Sequence, residues 1–235
     1  MLLLAACGPQ QPRETPEAAA RADTTPACVV PSDLDLPARA DPPDRTPDPP
    51  TSAYVLALSW SPEFCRFRAD APQHRGQCRD NRFGFVLHGL WPQAERERAW
   101  PRRCALAPPV GEALVRRHYC MMPSARLMQH EWSTHGTCGW ADADAYFAAS
   151  ARAWQRVMRP NLASRDAGIE TAGDIRDAFV ALNPGLPRHA VHVERSTRGW
   201  LVGVRLCMDR TFEYRACPGD AGAADRVPVS VWRGG

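Results

Sequence analysis

Two imidazoles and a carboxylate fall within six residues of one another in HEWSTHGTC, the stretch from His130 to Cys138. Side chains of these types can bind a metal ion, exchange protons with a substrate, or simply end a helix in polar groups. Leu127, Met128 and Trp132 recur at helical spacing, Ser124 after Pro123 is a plausible N-cap, and Gly136 stands where a glycine stop belongs, so a helix is predicted over 124–135. At ~100° per residue, Leu127, Glu131, His135, Met128 and Trp132 share a stripe about 140° wide, with His130 at its flank. The helical zinc pattern needs histidines four apart. His130 and His135 are five apart and splay by roughly 140° about the axis, which argues against a zinc site on this helix alone. Considered by itself, the helix equally suits a buried histidine with a hydrogen-bonded glutamate.

A second stretch, RFGFVLHGLWPQ (82–93), runs from apolar residues into Gly-Leu-Trp-Pro and reads as a strand entering a turn. His88 then falls where the strand stops, and Trp91 offers a flat face on which a nucleobase could stack. Alone, His88 is an ordinary surface histidine. Together with His135 it makes a pair suited to removing one proton and donating another at a phosphodiester, because imidazole titrates near neutrality.

FVLHGLWPQ and HEWSTHGTC resemble the two catalytic segments of the ribonuclease T2 family, secreted acid endoribonucleases of low base specificity. YVLALSWSPEFC (54–65) resembles that family's first core strand, and WLVGVRLCMDRTFEYRACP (200–218) its C-terminal hairpin; the likeness spans about 52–235. It implies an α+β fold, a central antiparallel sheet with packed helices, stapled by disulfides. It also implies single-stranded RNA as substrate, cut by transphosphorylation to 2′,3′-cyclic phosphates and then 3′-phosphates, with no metal, cofactor or protein partner. In the first step His135 would be the base and His88 the acid, with the roles reversed in the second. His130 would bind phosphate, and Glu131 would assist at the pentacovalent phosphorus while holding the His135 tautomer and raising its pKa. Trp91 and Gln93 would meet the first base, and Pro123 and Ser124 would border the second. Gln93 stands where many relatives have aspartate. A further departure is Thr134, where the family usually has lysine. Losing that charge would cost about 10- to 1000-fold in turnover unless Arg126 or another guanidinium replaces it. Two rivals stay open at this stage: a zinc hydrolase assembling His88, His130 and His135 across elements, and a weakly active RNA-binding protein.

Several elements must position these residues. Strands are expected near 54–60, 83–88, 189–194, 200–208, 212–217 and 228–233, with helices near 111–119, 124–135, 142–158 and 172–182. They do not alternate strictly, which favours α+β over a doubly wound sheet. The 235 residues, 44% hydrophobic, suffice for one core, and no run approaches the ~18 apolar residues of a membrane span.

Three segments are expected: 1–7, a shortened signal whose LAAC resembles a lipoprotein box with Cys7 as lipid anchor; 8–51, a tether with 11 prolines; and 52–235, the catalytic domain. The tether carries 4 Arg against 8 acidic residues and the domain 25 Arg against 18, so the folded part is the basic part, as suits a polyanion. Setting Cys7 aside leaves eight cysteines without a C-x-x-C pair, which reads as four disulfides in an oxidising compartment, periplasmic or extracellular. The resemblance pairs Cys104 with Cys138 and Cys207 with Cys217. Cys65 and Cys78 then read as a loop clasp, leaving Cys28 for Cys120. A monomer is expected.

Overall fold

The computed structural model describes residues 27–43, 50–94, 100–164, 168–217 and 222–234. Segment 1–7, with Cys7, and the tether residues 8–26 and 44–49 lie outside the described residues. Four strands form one antiparallel sheet: β1 (Thr51–Trp60), β2 (Phe85–Ala94), β3 (Val191–Arg195) and β4 (Leu201–Asp209), in the order β2-β1-β4-β3. Among the described residues six helices accompany it: α1 (Ser61–Cys65), α2 (Arg75–Cys78), α3 (Glu112–His118), α4 (Ala125–Thr134), α5 (Ala143–Gln155) and α6 (Ala172–Leu182). The chain is therefore α+β, with helices closing on the sheet.

The pleat sorts the sheet into two unlike faces. Residues directly opposite on paired strands share a face. Leu90, Leu56, Leu206 and Val191 form one such row, and Leu87, Leu58, Val204 and Val193 the next; all eight side chains are buried. The helices pack into the same core: Phe179 of α6 meets Phe85 edge-on at 5.3 Å, and Met128 and Trp132 of α4 join the cluster. The rows of the other face are Gly89–Ala57–Arg205–His192 and Val86–Ser59–Gly203–Glu194, small or polar almost throughout. The alternation in YVLALSW, with Leu inward and Ala or Ser outward, is what separates core from polar face.

β2 departs from expectation instructively. Gly-Leu-Trp-Pro is not a turn, since pairing continues through Trp91↔Val55 and Pro92↔Tyr54 to Ala94. Proline is tolerated there because β2 is the edge strand and its missing N–H costs no ladder bond. His88 is thus inside a strand rather than at its end. Leu87 pairs with Leu58 and Gly89 with Ala57, leaving His88 as the extra residue of a β-bulge. Such an insertion resets the alternation and re-aims the side chain.

The expected strands near 212–217 and 228–233 are absent as strands. Single bridges occur instead at Met208↔Tyr214, Thr171↔Pro228 and Trp200↔Ser230. After β4 the Asp209 carboxylate takes the N–H groups of Thr211 and Glu213, a local turn that competes with a ladder. One-turn helices α1 and α2 were too short to carry a periodic signal. The helix over 124–135 runs Ala125–Thr134, capped by the Ser124 hydroxyl, which accepts from Leu127 N–H. Gly136 does not end it in a left-handed turn. It is a glycine for space, since a Cβ there would lie 2.4 Å from Trp132 and 2.8 Å from Tyr146.

All four disulfides are those expected: Cys28–Cys120, Cys65–Cys78, Cys104–Cys138 and Cys207–Cys217. Within the stretch read as a tether, residues 27–43 lie against the domain. Arg116 donates to the Pro31 and Ser32 carbonyls, Asn81 brackets Val29, and Asp41 bridges to Ala107. Among the described residues no helix is long and apolar enough to cross a membrane.

Candidate active site

The bulge on β2 and the end of α4 bring His88, Trp91, Glu131 and His135 together. Glu131 is buried to 1% exposure, and its carboxylate is held by two donors. Trp91 Nε1–H donates to Oε2 at 2.7 Å, and His88 Nε2 lies 3.4 Å from Oε1. His88 Nδ1 is 3.0 Å from the Ser59 hydroxyl on the polar face of β1. The Trp91 ring is the hub. His135 stacks against it at 5.4 Å and 29°, His88 meets it edge-on at 5.4 Å, and the Arg205 guanidinium lies 4.9 Å from its centroid.

Gly89 makes this convergence possible. A Cβ at that position would sit 1.9 Å from Glu131 Oε2 and 2.6 Å from Trp91 Nε1. Gly89→Ala must therefore push the carboxylate off its two donors, at an overpacking cost of about 1–3 kcal/mol. The His88 pKa should fall in this variant, which a histidine NMR titration reads directly; an unchanged His88 titration would show that the carboxylate does not depend on this gap.

The two histidines are displaced in opposite directions. Burial opposes protonation of His88, but the Glu131 hydrogen bond and charge, with Glu194 behind them, outweigh it and leave the pKa raised despite Arg205. At His135 burial dominates; Glu131 partly offsets it, the charges of His130 and His88 add to it, and the pKa drops to about 4. Glu131 was expected to raise the His135 pKa and fix its tautomer. It is bonded to His88 and Trp91 instead, while His135 Nδ1 is buried without a partner.

The remaining expected residues are placed as follows. His130 is exposed on α4, one residue before Glu131. Gln93 turns its amide back onto the Pro92 and Trp91 carbonyls. Pro123 is buried, and Ser124, whose hydroxyl caps α4, stands about 16 Å up the helix axis from His135 at ~1.5 Å per residue. Arg126 is ion-paired with Asp35 on the first turn, far from Thr134, whose own hydroxyl is buried and unpartnered. Sequence reasoning missed Ser59 and Arg205. Each is a polar residue inside an otherwise apolar strand, YVLALSW and LVGVRLC, and that interruption was the available signal. Arg205 is ion-paired with Glu194 across the sheet. Among the described residues no three His, Cys, Asp or Glu side chains converge as a metal-ligand set.

Where β2 meets α4, two histidines, an indole and an arginine thus gather around one buried carboxylate. The chain belongs to the ribonuclease T2 family, whose model matches residues 51–217. It is 37% identical over 123 residues to a probable ribonuclease of Haemophilus influenzae, covering 48% of this chain and 45% of that one. A ribonuclease of Aeromonas hydrophila is 44% identical over 85 residues, 36% of each chain. The chain thus spans less than half the length of these two relatives in the matched region. In fold it is similar to an RNase-related protein from Calystegia sepium, with TM-score 0.61 at 19% identity, covering 77% of this chain and 97% of that one. RNase NT in complex with 5′-AMP gives a TM-score of 0.52 at 22% identity, covering 76% and 98%.

Proposed function

We propose that the chain is a metal-independent endoribonuclease of low base specificity, cleaving single-stranded RNA by transphosphorylation. The observation that carries this reading is the opposite displacement of two histidines about one indole: His88 with its pKa raised beside Glu131, and His135 with its pKa lowered to about 4 by burial. At mildly acidic pH one ring is an acid and the other a base before substrate arrives. In RNA the attacking 2′-hydroxyl is already next to its phosphate, so no external nucleophile is needed. His135 takes the 2′-OH proton, the oxygen attacks phosphorus in line, and His88 protonates the departing 5′-oxygen, leaving a 2′,3′-cyclic phosphate. Each ring now holds the proton state of the other. In the second step neutral His88 takes a proton from water, protonated His135 returns one to the 2′-oxygen, and a 3′-phosphate results.

Glu131 is the positioning group for this chemistry. Its 3.4 Å contact with His88 is longer than a charge-assisted hydrogen bond of about 2.8 Å, so a substrate oxygen can displace it. Trp91 separates the rings, and its exposed part is the surface left for stacking a base, which accepts any base. Because Gln93 satisfies its amide locally, it adds little to base choice. His130, exposed on the same helix, is the imidazole left to meet the phosphate. Thr134 brings no charge; the fixed cation on this face is Arg205, beside Trp91. Four disulfides suit an exported protein, periplasmic or extracellular.

The pH dependence follows with its sign. Cleavage should fall on the acid side near pH 4, where His135 gains a proton and stops being a base. It should fall on the alkaline side above 6.5, where His88 loses the proton it must donate. A bell-shaped kcat/KM profile on a dinucleoside monophosphate is the expected result. A rate still climbing into the alkaline range would exclude this assignment of roles.

A further inference from the structure

Three arginines and two tryptophans outside the catalytic cleft gather at the C-terminal end of β1. Arg66, just past α1, places its guanidinium 4.2 Å from the Trp200 ring and 4.5 Å from the Trp232 ring, which stand at 80° to each other. Two indoles and one guanidinium in this arrangement fix the cation without neutralising it. Glu63 forms an ion pair with it at 3.6 Å on one side, leaving the rest of the guanidinium toward the cleft. Next to this platform is a cleft of about 520 Å³ whose lining includes Arg66, Arg82, Phe83, Asn161, Trp232 and Arg233 and, among the described residues, no Asp or Glu. Its size suits a ligand of nucleotide dimensions, since small-molecule sites run from about 300 to 1,000 Å³.

The cleft lies at the end of β1 and just before the start of β2, the two strands that carry Ser59 and His88. Ser61, which lines it, donates its backbone N–H to the Gly84 carbonyl, just before β2, at 2.9 Å. Two residues earlier in the chain, Ser59 holds His88. β1 ends at Trp60 and Ser61 opens α1, so one residue of chain separates the lining of this cleft from the serine that orients the proposed acid. A polynucleotide crossing the catalytic cleft would reach it within a few nucleotides.

We propose that this arginine–tryptophan cleft is an extended RNA subsite, binding the phosphates and bases that flank the scissile linkage. The proposal rests on the ribonuclease reading for its purpose, though not for its detection. Arg66, Arg82 and Arg233 pair with phosphate oxygens, for which a guanidinium fork is shaped, and the exposed part of Trp232 accepts a base without regard to identity. Long RNA is therefore held more tightly than a dinucleotide, and the gain is sensitive to salt.

Binding of a fluorescent ten-nucleotide 2′-deoxy strand, which lacks the attacking hydroxyl, tests the site without turnover. The wild-type chain and Arg66→Ala/Arg82→Ala are compared by anisotropy over a sodium chloride series. The double variant should bind about 5- to 20-fold more weakly at low salt, with the slope of log K against log salt reduced by about 1.4, two single-strand phosphate contacts. Cleavage of a dinucleoside monophosphate should be unchanged while KM for long RNA rises. Arg82→Glu, at an exposed position, gives a second variant if loss of Arg66 disturbs folding. Unchanged affinity and slope in both variants would overturn the subsite, as would equal losses on dinucleotide and long RNA. A wild-type chain that binds the deoxy strand but cuts no RNA would fail the ribonuclease reading alone; one that does not bind the strand would fail the subsite.

Discussion

His135→Ala and His88→Ala are each expected to lower cleavage of an ordinary RNA linkage by about 10²- to 10⁴-fold, the usual contribution of one general acid or base. Neither loss should come from unfolding. His88 lies on an edge-strand bulge with a half-exposed side chain, and His135 follows the last residue of α4. The two variants can be told apart chemically. If the 5′-nucleoside is replaced by an aryl group, the departing phenolate needs no proton. His88→Ala should then recover most of the wild-type rate, while His135→Ala should stay slow because the 2′-hydroxyl still needs a base. Equal recovery of both variants, or of neither, would contradict the division of labour read from their opposite pKa displacements.

The largest expected effect on stability belongs to Cys28–Cys120. It closes 92 residues of chain, against 10 for Cys207–Cys217. Loop-closure entropy alone puts the two at about 4.6 and about 2.7 kcal/mol. Removing the longer bridge, as Cys28→Ser/Cys120→Ser, also frees the 27–43 segment whose Pro31, Ser32 and Val29 backbone groups are satisfied by Arg116 and Asn81. Denaturant melts of the two double variants should rank in that order. The arm meets α4 through Asp35–Arg126 and Asp41–Gln129, on the turns before Glu131, while the histidines are held by Ser59, Glu131 and Trp91, so activity per folded molecule should persist. The reverse ranking would mean that 27–43 stays docked through its hydrogen bonds without the covalent link.

How far the sequence could be read depended on whether a signal was local. The periodicity of α4, the Leu-Ala-Leu-Ser alternation of β1 and the two histidine motifs are local, and they gave the fold class and the histidine pair. The bulge at His88 is not local. Its presence depends on Leu87 and Leu90 both facing the core across Leu58 and Leu56, three residues apart where an even strand would place them two or four apart. Gly89 looked like a turn residue, but it is the space that Glu131 occupies, and only the meeting of α4 with β2 reveals it. Glu131 was matched with His135 because the two lie one turn apart on a single helix. The bonded partners came from another strand, since a buried carboxylate is held by whichever donors the tertiary fold aims at it. The Ser124 hydroxyl had one obvious local use, as a cap, and the structure shows that use.

Product chemistry tests the central claim most directly. Digestion of a defined RNA in excess EDTA, followed by phosphorus NMR, should show a 2′,3′-cyclic phosphate appearing first and converting to a 3′-phosphate at undiminished rate. Chains ending in 5′-phosphate, or cleavage abolished by the chelator, would mean that a water or hydroxide carried by a metal is the nucleophile, and that the two histidines do not trade protons across the ribose linkage.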